Sequence, residues 1–509
     1  MSASPPFGSE QVAVLSAAQT RAWDRAAVEG AGIPERVLME SAGRAAAAVV
    51  QHCFPEGRVV AIAGAGNNGG DALVLLRALR AWGRDVAVAY VGERPEPRLL
   101  HGWEIPVLDG DDPRTLLQGA ATVVDGILGT GASGAPRLPA AVWIRAINAC
   151  GAPVVALDGP SGVDLTTGAV PGEAVRADVT VAFGALKAGL LRFPGRGCAG
   201  RILGVEVGFP PYEPSLPARL VTAGWAHRRL PRIAPDAHKG TTGTVAVVAG
   251  RRQMAGAAVM VGAAALRAGA GMVRLVADAA VYPILQTALP EGVFTERDSP
   301  DLEERLEAAA AVVAGPAMGT GDAEARLLRR VVAAGSAPLL LDADALTLLA
   351  REPELLANNA RPTLLTPHPG EMGRLLGCSV AEVTADPEAA AHEAAKRWEC
   401  AVLLKGAPSL VVGPGQETRF SASGHSGIAT GGMGDTLAGV AGALLALGCA
   451  PAEAGALALF FSGRAAEIAG RGRGLLPRDV AEALPAALEE KPTPVAPFPG
   501  VFVDLPPPR

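Results

Sequence analysis

Gly424-His425-Ser426-Gly427-Ile428-Ala429-Thr430-Gly431-Gly432-Met433-Gly434-Asp435-Thr436-Leu437-Ala438-Gly439 is the stretch on which the reading of the chain turns. Its glycines give way to a helical spacing that puts Leu437, Val440, Leu444 and Leu447 on one face. A glycine loop that runs straight into a helix aims free backbone N–H groups and the positive end of the helix dipole at one spot, which suits a phosphate. Asp435 lies on the same first turn. An acid beside a bound anion is costly unless it works, for instance by taking the proton of a hydroxyl that is about to meet a phosphoryl group.

Around this stretch the second half alternates short apolar runs with helical patterns. Strands are expected near Thr244–Ala249, Val273–Ala277, Ala311–Ala314, Pro338–Asp342, Thr363–Thr366, Ala401–Leu404 and Ser409–Val412. Helices fit Gly256–Gly269, Ala323–Ala334, Ala389–Trp398, Asp435–Leu447 and Ala452–Ile468. Polar signals sit at the strand ends: Gly315-Pro316-Ala317-Met318-Gly319, Asp342-Ala343-Asp344, His368-Pro369-Gly370-Glu371 and Lys405-Gly406. His238-Lys239-Gly240 precedes the first strand. The absence of Gly-Lys-Ser or Gly-Lys-Thr after a glycine loop excludes a P-loop nucleotidase. From the residues alone, a small-molecule kinase remains open for this half.

The first half begins with helical patterns at Ala17–Glu29 and Val37–Val50, then alternates in the same way. Val59–Ala63, Val86–Val91, Ala121–Asp125, Pro153–Asp158 and Val179–Phe183 read as strands buried on both faces, with helices at Leu73–Trp82 and Ala140–Cys150. Such alternation implies an α/β fold with a parallel sheet covered by helices, whose ligands lie at the carboxyl ends of the strands. Three loops are placed there: Gly64–Asp71, Asp125–Gly131 and Asp158–Asp164. Gly64-Ala65-Gly66-Asn67-Asn68-Gly69 formally matches a dinucleotide fingerprint, but Asp71 just beyond it would repel a pyrophosphate. The amide oxygens of Asn67 and Asn68 and the Asp71 carboxylate suit a cation or a sugar hydroxyl.

A chain of 509 residues calls for more than one domain. The proline-rich Pro210–Pro217 marks the boundary: residues 1–215 form one domain, 216–490 a second, and the tail 491–509 is expected to be disordered or draped over the surface. With 4% aromatic residues and a net charge of −6, neither nucleic acid nor an anionic membrane is an expected partner. Six scattered cysteines, no apolar run of membrane length and no leader-like start lead to the expectation of a cytoplasmic protein.

Gly66–Asp71, Asp125–Gly131 and Asp158–Asp164, with Leu38-Met39-Glu40-Ser41-Ala42-Gly43 ahead of them, resemble the NAD(P)H-hydrate epimerase domain. The resemblance implies a Rossmann-like domain that racemises hydrated NAD(P)H at C6. It implies K+ on Asn68, Asp125 and Ser161, and Asp158 as the catalytic acid/base. The substrate would lie on Asn67, Asn68, Gly69, Gly70, Asp71, Gly129, Thr130, Gly131, Ala132, Ser133, Gly134, Ala135 and Asp158. Lys187 is weighed as a further site residue against a surface lysine. In the second half His238-Lys239-Gly240, Asp342–Leu346, His368–Glu371, Lys405-Gly406 and Thr430–Asp435 occur in the order of the ADP-dependent NAD(P)H-hydrate dehydratases, which have the ribokinase-like fold. That resemblance implies hydrate on Ala257, Gly319, His368 and Asp435, with Asp435 as catalytic base. ADP, accompanied by Mg2+, would be held by Lys405, Gly406, Ala407, Pro408, Ser409, Thr430, Gly431, Gly432, Met433 and Gly434. A homo-oligomer is expected. Departures from the usual patterns stand at Ser41, Ala72, Gly159, His425-Ser426 and Phe461-Ser462.

Overall fold

The computed structural model describes residues 12–93, 97–210, 218–238, 240–357, 359–491 and 500–508. Lys239, most of the proline-rich connection and residues 492–499, on which parts of the sequence reading fall, lie outside them. Two compact units result: Met1–Arg219 with Pro494–Arg509, and Leu220–Thr493.

In the first unit the five expected strands are joined by Arg201–Val205 and Val501–Leu505, which the sequence reading does not predict, in a seven-stranded sheet of order 501–505, 201–205, 179–183, 154–157, 122–126, 59–63, 86–90. All neighbours are parallel except Val501–Leu505, which runs antiparallel to Arg201–Val205. That last strand corrects the expectation of a disordered or draped tail. Val501, Phe502 and Val503 are buried, and Asp504 takes a two-pronged ion pair from Arg201, at 2.8 and 2.6 Å, so an apolar triplet among prolines is enough to complete the sheet. Val59–Ala63 is buried along its whole length, as expected of a strand covered on both faces. The chain leaves it for Val86–Tyr90 on one side and returns to Thr122–Gly126 on the other. The strand order therefore reverses there, opening a crevice beyond the carboxyl ends of those two strands.

The second unit is built on a ten-stranded sheet in the order 293–296, 272–277, 244–248, 311–314, 339–341, 363–365, 401–404, 409–412, 418–421, 218–220. It is parallel from Val293–Glu296 through Ala401–Leu404, and the next two pairings are antiparallel. The reversal of order falls between Thr244–Val248 and Ala311–Ala314, where the Gly250 amide donates to the Pro316 carbonyl at 2.9 Å. The helix of the opening stretch begins at Met433, two residues earlier than expected, with Gly432 as its left-handed cap at φ 89°. It packs against the helices Gly256–Arg267 and Pro451–Ala469 and against Ala311–Ala314. It is consequently buried on almost every side from Thr436 to Leu445 rather than on one face, and Leu447, placed on that face by spacing, is only half-buried.

Candidate functional site

At the first unit's crevice the Asn-rich motif is not a loop. Asn67 to Asp71 make the first turns of the helix Asn67–Ala81, entered from Val59–Ala63 through Gly64. A Cβ on Gly64 would stand 2.0 Å from the Ile127 carbonyl oxygen, so only glycine lets the two loops approach. Asn68 then donates Nδ2–H to the Leu128 carbonyl at 2.8 Å, while its Oδ1 is buried with no hydrogen-bond partner among the described residues. Asp125 is fully buried at the end of its strand; its Oδ1 accepts the Ser161 hydroxyl at 2.6 Å and its Oδ2 the Ser161 amide at 2.8 Å. Burial pushes its carboxyl up to about 6, against the Ser161 hydroxyl and the Ser161 and Ile127 amides, which hold it down. An orphaned amide oxygen, a hydroxyl and a buried carboxylate are hard oxygen donors of the kind that a potassium ion takes.

Beside this pocket Asp158 adopts φ 62°, a left-handed conformation that aspartate tolerates better than most residues. Its backbone is held there by an amide donated to Val181 O at 2.7 Å. Its Oδ1 accepts the Phe183 amide at 3.2 Å and an ion-paired hydrogen bond from Lys187, whose ammonium also donates to the Phe183 carbonyl at 2.9 Å. Lys187 is 0% exposed, so it is not a surface lysine, and its ammonium reaches Asp158. Asp71 is buried and burial raises its carboxyl well above the usual range, with Asp158 and Asp24 adding to the effect and Lys187 opposing it. Asp24, on the helix Ala17–Arg25, is itself raised to about 6 by burial, with Lys187 pulling it down and Asp158 and Glu35 pushing it up. Leu128, Gly129 and Ala132–Gly134 face Pro160–Leu165 across a narrow cleft. Thr130, Gly131 and Ala135 lie at its half-buried to exposed rim.

In the second unit the opening helix starts over an ion pair whose acid is buried and whose lysine is half-buried. Lys405 Nζ donates to Asp342 Oδ1 at 2.7 Å and lies 3.9 Å from Glu371. A Cβ built on Gly434 would be 3.5 Å from that ammonium and 3.8 Å from Asp342 Oδ2. Burial works against the Lys405 charge, but Asp342 and Glu371 outweigh it, so its ammonium is held above its ordinary value. Asp435 is also raised, from 3.8 to about 7, by burial and by Asp342, with Lys405 opposing. That places a carboxylate base close to neutral pH.

The ring of His368 serves its own helix: Nδ1 accepts the Gly370 amide at 2.9 Å and the Glu371 amide at 3.3 Å, and Glu371 answers by accepting the His368 amide at 2.8 Å. This uses Nδ1 as an acceptor, while Nε2 lies 3.5 Å from Glu371 Oε1. Asp344 Oδ2 accepts the Gly319 amide at 2.8 Å, and Ala257 is buried in the helix Gly256–Arg267. The Gly406 amide and the Ser409 hydroxyl close the turn after Lys405 at 3.0 Å.

A family model described as "NAD(P)H-hydrate dehydratase" matches residues 245–486, and one described as "YjeF-related protein N-terminus" matches residues 35–189. A bifunctional NAD(P)H-hydrate repair enzyme of Salinibacter ruber is 35% identical over 94% of this chain and 96% of its own. The chain belongs to the bifunctional NAD(P)H-hydrate repair enzymes. A repair enzyme of Escherichia coli is 36% identical over 88% of each chain. A ribokinase-like protein of Enterococcus faecalis superposes with a TM-score of 0.50 at 24% identity, covering 55% of this chain and 98% of that one, and shows the fold of the second unit.

Within this repair enzyme four of the departures, at Ala72, Gly159, His425 and Phe461, find local reasons. A Cβ on Gly159 would lie 2.4 Å from Leu165 Cδ2, and Ala72 packs its methyl against Gly126. His425 caps the turn Ser426–Ile428 by accepting the Gly427 amide at 3.0 Å, and its Nε2 lies 3.2 Å from the Ala466 carbonyl. Phe461 is buried with the His227 ring edge-on at 5.1 Å. His238 accepts the Gly240 amide at 3.2 Å in its own exposed turn. Sequence reading passed over Asp24 altogether. It places Asp342 and Glu371 at strand ends but assigns neither a role of its own.

Proposed function

We propose that the first unit interconverts the two C6 epimers of NAD(P)H hydrate and that the second removes water from one of them using ADP, yielding NAD(P)H, AMP and phosphate. What carries the reading is the pair of carboxylates at the two crevices: Asp158 tied to buried Lys187, and Asp435 tied to the Lys405–Asp342 pair at a glycine-led helix start.

In the first unit Asp158 exchanges a proton with the C6 hydroxyl or an attacking water through Oδ2, since Lys187 and the Phe183 amide engage Oδ1. Lys187 keeps that carboxylate oriented. The turn Asn67–Asp71 and the loop Gly129–Ala135 would flank the substrate. Asn68 Oδ1, Asp125 and Ser161 would hold K+, which supplies positive charge beside the reacting ring. The orphaned Asn68 oxygen and the buried Asp125 carboxylate, which has hydrogen bonds from Ser161 and Ile127 but no cationic side chain on it among the described residues, fit that group.

In the second unit the backbone N–H groups of Thr430–Gly434 and the Lys405–Ser409 turn would cradle the phosphates, with Lys405 facing their charge. Asp435 takes the proton of the hydrate's C6 hydroxyl as it attacks the terminal phosphorus of ADP. The bond from that phosphorus to AMP breaks as the new P–O bond forms; phosphate then leaves C6 with the C–O electrons, and loss of a C5 proton to water restores the C5=C6 double bond. Ala257, Gly319 and His368 would border the dinucleotide. Mg2+ would arrive with the nucleotide, because among the described residues no group of three or more acidic, histidine or cysteine side chains is set to hold a metal.

Six free cysteines support a reducing, cytoplasmic setting, and a homo-oligomer is the assembly we expect. The test is to follow the absorbance of reduced nicotinamide while the protein is incubated with both NADH hydrate epimers, with and without ADP. Recovery of both epimers supports the two activities. Recovery of half leaves the dehydratase alone, and none refutes the proposal. A stable phosphorylated product without recovered absorbance would point to a small-molecule kinase instead.

A further inference from the structure

Before its first long helix the chain makes an arm that lies against the first unit's site. Val14–Leu15 pairs in parallel with Leu186–Lys187, Leu15 opposite Lys187 itself. Ser16 then caps the helix Ala17–Arg25 with a reciprocal bond to Gln19, and the Ala17 amide donates to the Thr166 hydroxyl at 3.0 Å. Trp23 fixes the helix from beneath, stacking on Phe209 at 4.7 Å and donating its indole N–H to the Pro210 carbonyl at 3.0 Å. Arg21 donates to the Thr130 carbonyl, inside the loop assigned to the substrate. Asp24 is three residues beyond Arg21, and side chains three apart share a helix face, so the contact that brings Arg21 to the loop also turns Asp24 toward the site. A π-helical turn, Ala26–Gly30, follows at once, an irregularity frequent where a helix serves a site.

We propose that Asp24 is the second proton-transfer group of the C6 epimerisation, working with Asp158. The inference rests on the epimerase reading given above. Inverting a carbon that bears a hydroxyl beside the ring nitrogen needs an acid for the departing oxygen and a base for the arriving water. One carboxyl cannot be both at once. Asp24 as carboxylic acid gives its proton to the C6 hydroxyl; the C6–O bond breaks with its electrons on oxygen, water departs, and the lone pair of N1 closes a C6=N1 bond. A water then bonds to the other face of C6, N1 regains its pair, and Asp158 takes the surplus proton. Water is neither consumed nor made. The proton moved from Asp24 to Asp158 poises the site for the opposite epimer, and exchange with solvent resets it.

The charges facing Asp24 are those of Lys187, Asp158, Asp71, Glu35 and Arg21. Their balance with burial, which leaves the carboxyl near 6, allows both protonation states to be reached around neutral pH. Epimerisation should therefore show an alkaline limb near pH 6, set by loss of the Asp24 proton.

The experiment measures epimer interconversion in the full chain against pH, by chromatography of the two NADH hydrates, for wild type, Asp24→Asn, Asp24→Glu and Asp158→Asn. The expected result is a fall in kcat of about a hundred- to ten-thousand-fold for Asp24→Asn, with the limb near pH 6 gone. Asp24→Glu should restore part of the rate with a displaced limb, and dehydration of the competent epimer should be unchanged in both. An Asp24→Asn rate within threefold of wild type overturns the proposal. So does a slower enzyme whose limb is intact, which would make the arm a positioning element only. If Asp24→Asn does not fold, an undisplaced limb in Asp24→Glu is equally decisive. Failure of wild type to interconvert the epimers, or full activity in Asp158→Asn, would instead sink the epimerase reading itself.

Discussion

Asp435→Asn should abolish dehydration and at the same time stabilise the second unit at alkaline pH, because the carboxylate proposed as base is held where it is costly to ionise. Its folded value is about 7 against an ordinary aspartate value of 3.8, raised first by burial and then by Asp342, with Lys405 only partly offsetting them. Taking about 1.4 kcal/mol per tenfold ratio, ionising it in place costs about 4 kcal/mol relative to the unfolded chain. The sign follows from linkage. Below about pH 4 both states carry the proton and the penalty is absent; it grows as pH rises and is complete above about pH 7. Asparagine keeps the shape and removes the charge, so the variant should gain at most about 4 kcal/mol at pH 8 and almost nothing at pH 4. For a unit of this size that is a rise in Tm on the order of 10 °C. Calorimetry across pH 4–9 measures it, and absorbance recovery with ADP measures dehydration, whose kcat should fall by about 10²-fold or more. Equal Tm in variant and wild type across that range would refute the electrostatic argument, and dehydration within tenfold of wild type would refute the role of Asp435. Epimerisation should be untouched.

Exchange of KCl for tetramethylammonium chloride at equal ionic strength should lower the melting temperature of the first unit, since a cation bound only by the folded site contributes about 2.7 kcal/mol at a hundred times its Kd. Asp125→Asn should erase that difference, and a K+-dependent shift that survives the substitution would place the ion elsewhere. Lys187→Met breaks a buried pair from one side and should cost about 3–5 kcal/mol in urea unfolding. It should also stop epimerisation, while adding Asp158→Asn to it should return part of the stability and none of the activity. A Lys187→Met protein as stable as wild type would mean that the ion pair is not holding the loop.

The alternation of strands and helices was legible because each central strand, covered on both faces, must be apolar throughout, as Val59–Ala63 and Ala311–Ala314 are. The edge strand Val293–Glu296 and the internal strand Thr418–Ser421 were missed, the first being largely exposed and the second carrying polar residues at its ends. The site loops were legible as glycine, asparagine and aspartate at strand ends. Asp24 was not: on a polar N-terminal helix it looks like any solvated acid, and only the pairing of Leu15 with Lys187 brings its helix to Asp158.

By itself, then, the sequence determined the two α/β halves, the loops that face ligands and the helix start of Gly424–Gly439, because backbone periodicity and turn chemistry are local. Only the tertiary structure decided which charges meet. Lys187 lies 29 residues from Asp158, and Lys405 lies 63 from Asp342. Strand order and register, which no local pattern encodes, bring each pair into contact. Burial then does what a sequence position cannot, holding the Asp435 carboxyl of the opening stretch at about 7, where it can act as a base.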